Sequence, residues 1–293
     1  MEILELVKAA IIGIIEGITE WLPISSTGHM ILADEFIRLE VSPEFWEMFL
    51  VVIQLGAICA VIILFLSKLN PFSPSKGKDG RRKTWTLWLK VIVGCIPAAV
   101  IGILFDDFFE EHFYNAVTVA VALVVYGIAF IVVERIKGSG NKVPAKAAAV
   151  STVSSVDHLG FGKALAIGMF QVLAIIPGTS RSGSTILGGR ILGVSREAAA
   201  EFSFFLAIPV MFGWSLLKVV KGFVLDNLTL TTTEWGVLAV GIIVAFVVSI
   251  LAIKFLMGYI RKHSFEVFGW YRIALGIVVL VFFVATGQLW VMQ

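Results

Sequence analysis

Glu16-Gly17-Ile18-Thr19-Glu20-Trp21-Leu22-Pro23-Ile24-Ser25-Ser26-Thr27-Gly28-His29 is a polar, proline-broken block inside a chain that otherwise reads as lipid-soluble. A second block, Pro177-Gly178-Thr179-Ser180-Arg181-Ser182-Gly183-Ser184, looks like its copy. A charged side chain at the bilayer midplane costs about 2.5–3.5 kcal/mol even on the gentlest insertion scale, so charge at that depth points to function. Glu16, Glu20, His29 and Arg181 clustered with hydroxyls and glycines indicate a protein that handles something anionic at a membrane.

Composition sets the class. Hydrophobic residues make up 58% of the 293 and charged ones only 15%, where a soluble domain carries about a quarter. Runs of roughly 20 apolar residues span the hydrocarbon core. Six full spans are expected, near 48–66, 86–105, 116–134, 202–220, 235–257 and 268–288. The stretches 3–38 and 163–193 start apolar but break at the two blocks. Irregular backbone at membrane depth survives only where protein or a watery cavity satisfies it, so both read as broken-helix hairpins that enter and turn back. The expected fold is an all-α polytopic membrane protein, one membrane domain over 1–293. Glu2 and Glu5 stand where a signal peptide carries basic residues, so targeting is expected from the spans themselves.

Loop charge orients this arrangement. Lys68, Lys76, Lys78, Arg81, Arg82 and Lys83 follow the first span; Arg135, Lys137, Lys142 and Lys146 follow the third; Arg261, Lys262 and His263 follow the fifth. The 106–115 connection instead carries Asp106, Asp107, Glu110 and Glu111. The positive-inside rule places the basic loops in the cytoplasm, with the acidic loop and both termini outside.

A shift of 155 positions aligns Lys8 with Lys163, Gly13 with Gly168 and Glu16 with Gln171. It also lays Ser25-Ser26-Thr27-Gly28 on Ser180-Arg181-Ser182-Gly183; after a short slip, Val41-Ser42 pairs with Val194-Ser195. Each half, about 1–150 and 151–293, then holds one hairpin and three spans. An odd number of crossings inverts one half against the other, a design that places its site where the broken helices meet.

Glu16 and Glu20 lie about 6 Å apart along one helix face. Two such carboxylates suit Mg²⁺ or Ca²⁺ completed by substrate phosphate oxygens. Ser25, Ser26 and Thr27 add hydroxyls after Pro23, and His29 is the one side chain here that ordinarily titrates near neutrality. The second block is an anion cradle. Helix-start N–H groups behind small residues bind phosphate, and the planar fork of Arg181 suits phosphoryl oxygens better than lysine.

Together the two motifs resemble the bacterial undecaprenyl-diphosphatase family, the bacitracin-resistance phosphatases, and the likeness runs through Glu201-Phe202-Ser203-Phe204 along essentially the whole chain. The resemblance implies hydrolysis of a polyprenyl diphosphate lipid to the monophosphate and inorganic phosphate, recycling the carrier for cell-wall synthesis. It also implies a divalent metal, a plasma-membrane location and a site open to the outer face. Glu16 and Glu20 take the family's acidic pair, His29 its histidine, and Ser25, Ser26 and Thr27 its Ser-Ser-Thr. Thr179, Ser180, Arg181 and Ser182 fall in its phosphate-binding segment. Glu20, Ser26, His29 and Arg181 are the expected catalytic set. Attack by Ser26 and attack by water both stay open, with His29 a base or the acid for the leaving phosphate.

Membrane lipid and a second copy of the chain, as a homodimer, are the further expected partners; no nucleic acid is expected. The rival reading is a transporter or flippase of a lipid phosphate, which would use the same inverted repeat. Cys59 and Cys95 read as small hydrophobes within membrane spans. Trp21, Trp46, Trp85, Trp88, Trp235, Trp270 and Trp290 read as an interfacial belt, and Arg272 as snorkelling to headgroups. Arg190 and Glu201 are expected to pair with one another.

Overall fold

A computed structural model describes residues 2–137, 153–225 and 227–287, without the side chains of 106, 107 and 110. Lys142, Lys146 and Trp290 lie outside the described residues. Among the described residues, the α-helices are α1 (Glu2–Thr19), α2 (Ser26–Phe36), α3 (Pro43–Leu64), α4 (Leu66–Leu69), α5 (Lys78–Phe113), α6 (Ala116–Lys137), α7 (Phe161–Val172), α8 (Arg181–Ile191), α9 (Arg196–Val220), α10 (Thr232–Ile260) and α11 (Glu266–Thr286). Six of them, α3, α5, α6, α9, α10 and α11, are long and apolar enough to cross a membrane. The chain is a multi-pass helical membrane protein.

Both expected hairpins are present. α1 stops at Thr19, a turn carries Glu20 to Ile24, and α2 restarts at Ser26. α7 tightens into a 3₁₀ turn at Leu173–Ile175 before α8 restarts at Arg181. Serine caps start these elements in matched pairs. Ser25 Oγ accepts from Gly28 N–H, and Ser180 Oγ accepts from Gly183 N–H. Ser42 and Ser195, both in extended backbone, cap α3 and α9 in the same way. Each pair is one the 155-position shift, with its slip, had joined.

Packing also runs in matched pairs. α1 lies along α10 and α7 along α5; α3 packs on α9, and α6 on α11. Small residues set the closest approaches, as membrane helices without a hydrophobic drive require. A methyl group added at Gly13 would lie 2.8 Å from the Gly241 carbonyl oxygen, and one at Gly168 would run into the Gly94 backbone.

Four features depart from expectation. α5 runs unbroken to Phe113, so the acidic stretch at 106–113 is helix rather than loop. A helix continues past the hydrocarbon boundary as long as its residues propagate it, whatever their charge. Arg190 does not meet Glu201. It bonds Glu134 at 2.8 Å, Arg196 closes the other Glu134 oxygen at 2.7 Å, and Glu201 pairs instead with Lys68. Trp21 is wholly buried rather than interfacial, edge-on to Phe204 at 5.3 Å. Arg272 is wholly buried too, and its guanidinium turns inward to the hairpin loops. Trp85, Trp235 and Trp270 are exposed as a belt requires.

Candidate active site

The two hairpin turns meet in the protein interior. α1 ends in a face carrying Glu16 and Glu20, because Pro23 cannot extend the helical hydrogen-bond ladder. Both carboxylates are buried. Ser25 and Ser180 hold φ of 75° and 71°, a backbone region that a side chain with a Cβ seldom enters. Such strain costs of order 1–3 kcal/mol and persists where the surroundings over-determine it, most often at functional sites. The strain aims the first turns of α2 and α8, whose leading N–H groups have no partner within their own helices.

Glu20 joins the two blocks. Its Oε1 accepts from Arg181 Nη2 at 2.7 Å, and its Oε2 accepts from Ser26 Oγ at 3.0 Å. Arg181 Nη1 donates to the Ser203 carbonyl at 2.9 Å, and the guanidinium lies 5.5 Å from the Trp21 ring centre. Arg181 Nε is buried with no partner, one donor of the fork still free. Ser182 Oγ donates across to the Glu20 carbonyl at 3.0 Å, stitching the second hairpin to the first. Thr185 reinforces the same corner through Ser203 Oγ at 2.7 Å.

His29 sits beside this centre rather than in it. Its Nδ1 donates to the Ser25 carbonyl at 2.7 Å, since a carbonyl only accepts. Its Nε2 is then the acceptor for the Tyr271 hydroxyl, also at 2.7 Å, and the two rings stack. Thr27 and Ser180 are half-buried at the helix starts, while Thr179 is buried in the second turn.

The residues present fit a divalent cation in part. Glu16 Oε1 is buried with no hydrogen-bond partner, one helical turn from the Glu20 carboxylate. Among the described residues no group of three or more His, Cys, Asp or Glu is available to hold a metal. A two-carboxylate site completed by phosphate oxygens needs no such group. Both Glu20 oxygens are engaged, which leaves Glu16 as the open oxygen donor.

Hydrogen bonds bring Glu20, Ser26, Arg181 and Ser182 together, while His29 is displaced toward Tyr271. Sequence reading missed Tyr126, Thr185, Ser203, Tyr271 and Arg272. Ser203 had a signal, the polar residue inside Phe202-Ser203-Phe204; Tyr126 and Thr185 had none.

Fold and centre define a polytopic helical membrane protein with a charged site between two broken helices. Residues 9–278 match the family model described as bacitracin resistance protein BacA. The chain belongs to that family. It is similar to proteins named undecaprenyl-diphosphatase from Enterococcus faecalis, 57% identical over 93% of this chain and 95% of that one, and from Acetivibrio thermocellus, 56% identical over 96% and 99%. A third such protein, from Desulfitobacterium hafniense, is 55% identical over 97% of this chain and 98% of its own.

Proposed function

We propose that this protein hydrolyses undecaprenyl diphosphate to undecaprenyl phosphate and inorganic phosphate, returning the lipid carrier to cell-wall synthesis. One observation carries the reading: a single buried carboxylate, Glu20, holds the Ser26 hydroxyl on one oxygen and the Arg181 guanidinium on the other. A hydroxyl on a carboxylate is a nucleophile with its base, and the adjacent cation awaits an anion. The names of the relatives supply the lipid.

In the mechanism these contacts support, Glu20 takes the proton of Ser26 as Oγ bonds to the terminal phosphorus. The bridging P–O bond breaks, and lipid monophosphate departs with the electron pair. Water then cleaves the phosphoserine and releases phosphate. Arg181 and the N–H groups of the α8 first turn neutralise the developing oxyanion charge, generally the largest catalytic contribution. His29 carries no proton on Nε2 in this arrangement, so the lipid monophosphate departs as an anion and takes its proton from water, while His29 holds Tyr271 at the edge of the site. Glu16, its Oε1 unpartnered, would hold Mg²⁺ or Ca²⁺ together with substrate phosphate oxygens, Glu20 adding an oxygen only in place of its bond to Ser26 or Arg181, and the cation would offset the charge of the diphosphate.

Purified protein in detergent with a polyprenyl diphosphate tests this. Phosphate release is expected, lost in excess EDTA and restored by Mg²⁺ or Ca²⁺. Full activity in excess chelator would remove the metal assignment. Lipid phosphate translocated in vesicles with no phosphate released would replace hydrolysis by transport.

The site is proposed to open outward, with both termini outside, on the strength of the loop charges. In a chain with Cys59 and Cys95 replaced by alanine, Glu111→Cys should react with an impermeant thiol reagent in intact cells, and Ser75→Cys should not. Both positions are exposed. The reverse pattern would invert the topology.

A further inference from the structure

We propose that Arg272 is a positioning residue of the phosphate site, fixing the peptide planes of both hairpin turns from a helix that belongs to neither. The proposal rests on the phosphate-binding reading of those turns. Arg272 lies within the α11 span, is 0% exposed, and makes no ion pair among the described residues. A cation at such depth without a carboxylate calls for a reason beyond packing. Its partners are three main-chain oxygens: Nη1 donates to Pro23 O at 3.2 Å, and Nη2 to Gly178 O at 2.8 Å and Thr179 O at 2.9 Å. The face of Tyr126 lies under the guanidinium at 5.4 Å.

The consequence follows from the planar trans peptide, whose C=O and N–H point in opposite directions. Thr179 O is drawn onto Arg272, so the N–H of Ser180 is turned to the opposite side of that plane. The neighbouring peptides are spoken for, since Thr179 N–H bonds Ile176 O and Ile24 N–H bonds Leu22 O. Gly178 and Ser180 flank Thr179 with φ of 85° and 71°, and Ser25, two residues after Pro23, has φ of 75°. The three Arg272 bonds therefore land beside the strained positions that aim α2 and α8. The guanidinium also sits close under the α8 start, where a Cβ at Gly183 would lie 3.0 Å from Nη1. Its charge adds to the positive end of that helix.

Arg272→Lys keeps the charge but one nitrogen replaces two, so the loops lose their common tie. The variant, purified in detergent, is compared with wild type for folded fraction, kcat and KM on a polyprenyl diphosphate, and the inorganic phosphate concentration that half-maximally raises the thermal midpoint. Per folded molecule, kcat is expected to fall at least fivefold and the phosphate concentration to rise at least fivefold. A purely structural tie would lower the folded fraction and leave both values within fivefold, which overturns the proposal. If Arg272→Lys does not fold, Tyr126→Leu removes the ring beneath the guanidinium and carries the same test, with a threefold change expected and no change overturning it. Phosphate protection of the wild type without any turnover would sink hydrolysis alone, because loop positioning is read from the protection.

Discussion

Glu20→Gln is expected to lower kcat by about 10³-fold, roughly 4 kcal/mol in transition-state free energy, while the protein still inserts and purifies. Glutamine keeps the length of the side chain and can still accept from Ser26 or Arg181, so the hairpins should stay joined. It cannot take the serine proton, and it removes the negative charge that holds Arg181 in place before substrate arrives. The loss should therefore appear mainly in kcat, measured by steady-state phosphate release. Rapid acid quench of the wild type should trap phosphoserine at Ser26, and the variant should trap none. A variant that turned over within tenfold of wild type would show that Glu20 is only a tether between the blocks. Attack by water at another base would then be required.

The sequence carried the architecture because membrane physics leaves few choices. An apolar run of span length has one destiny in lipid, and a Pro-Gly or Pro-x-Ser-Ser interruption must be sheltered by protein. That logic located both hairpins, and the internal repeat paired the two serines that cap α2 and α8. The polar motif residues were legible for the same reason, since Glu16, Glu20 and Arg181 had no cheap explanation in an apolar setting. What escaped was decided by contacts distant in sequence. Arg272 reads as an end-of-span cation that snorkels, and only the folded chain brings it to Pro23 and Gly178. Arg190 and Glu201 looked like natural partners in the sequence. Yet Glu134, on α6, takes Arg190, and Lys68 takes Glu201. Trp21 looked interfacial by its place beside a helix end, but that end lies inside the protein, so the ring is buried against Phe204 and Arg181.

Arg181 should prove the least replaceable cation in the chain. Its three nitrogens already do different things: Nη2 meets Glu20, Nη1 meets the Ser203 carbonyl, and Nε is unpartnered. A diphosphate entering the turn finds a planar cation held at two corners by protein, its Nε buried and unpartnered. Lysine keeps the charge but offers one nitrogen and no plane to lie against Trp21. Arg181→Lys is therefore expected to fall at least tenfold in kcat/KM, about 1.4 kcal/mol or more. Arg181→Ala should fall by about 10²–10³-fold, the usual loss when a donor to a developing oxyanion is removed. Both should lose turnover as well as affinity, because charge on the transferring phosphoryl group changes along the reaction while the lipid tail's contacts do not. Alanine also leaves Glu20 buried without its counter-charge, so rates must be taken per folded molecule, from thermal unfolding of the same preparations. Normal turnover by Arg181→Ala at saturating substrate would reduce the residue to a binding handle. Catalysis would then fall to the Glu20–Ser26 pair and the N–H groups of α8, and Arg181→Lys should in that case raise KM alone.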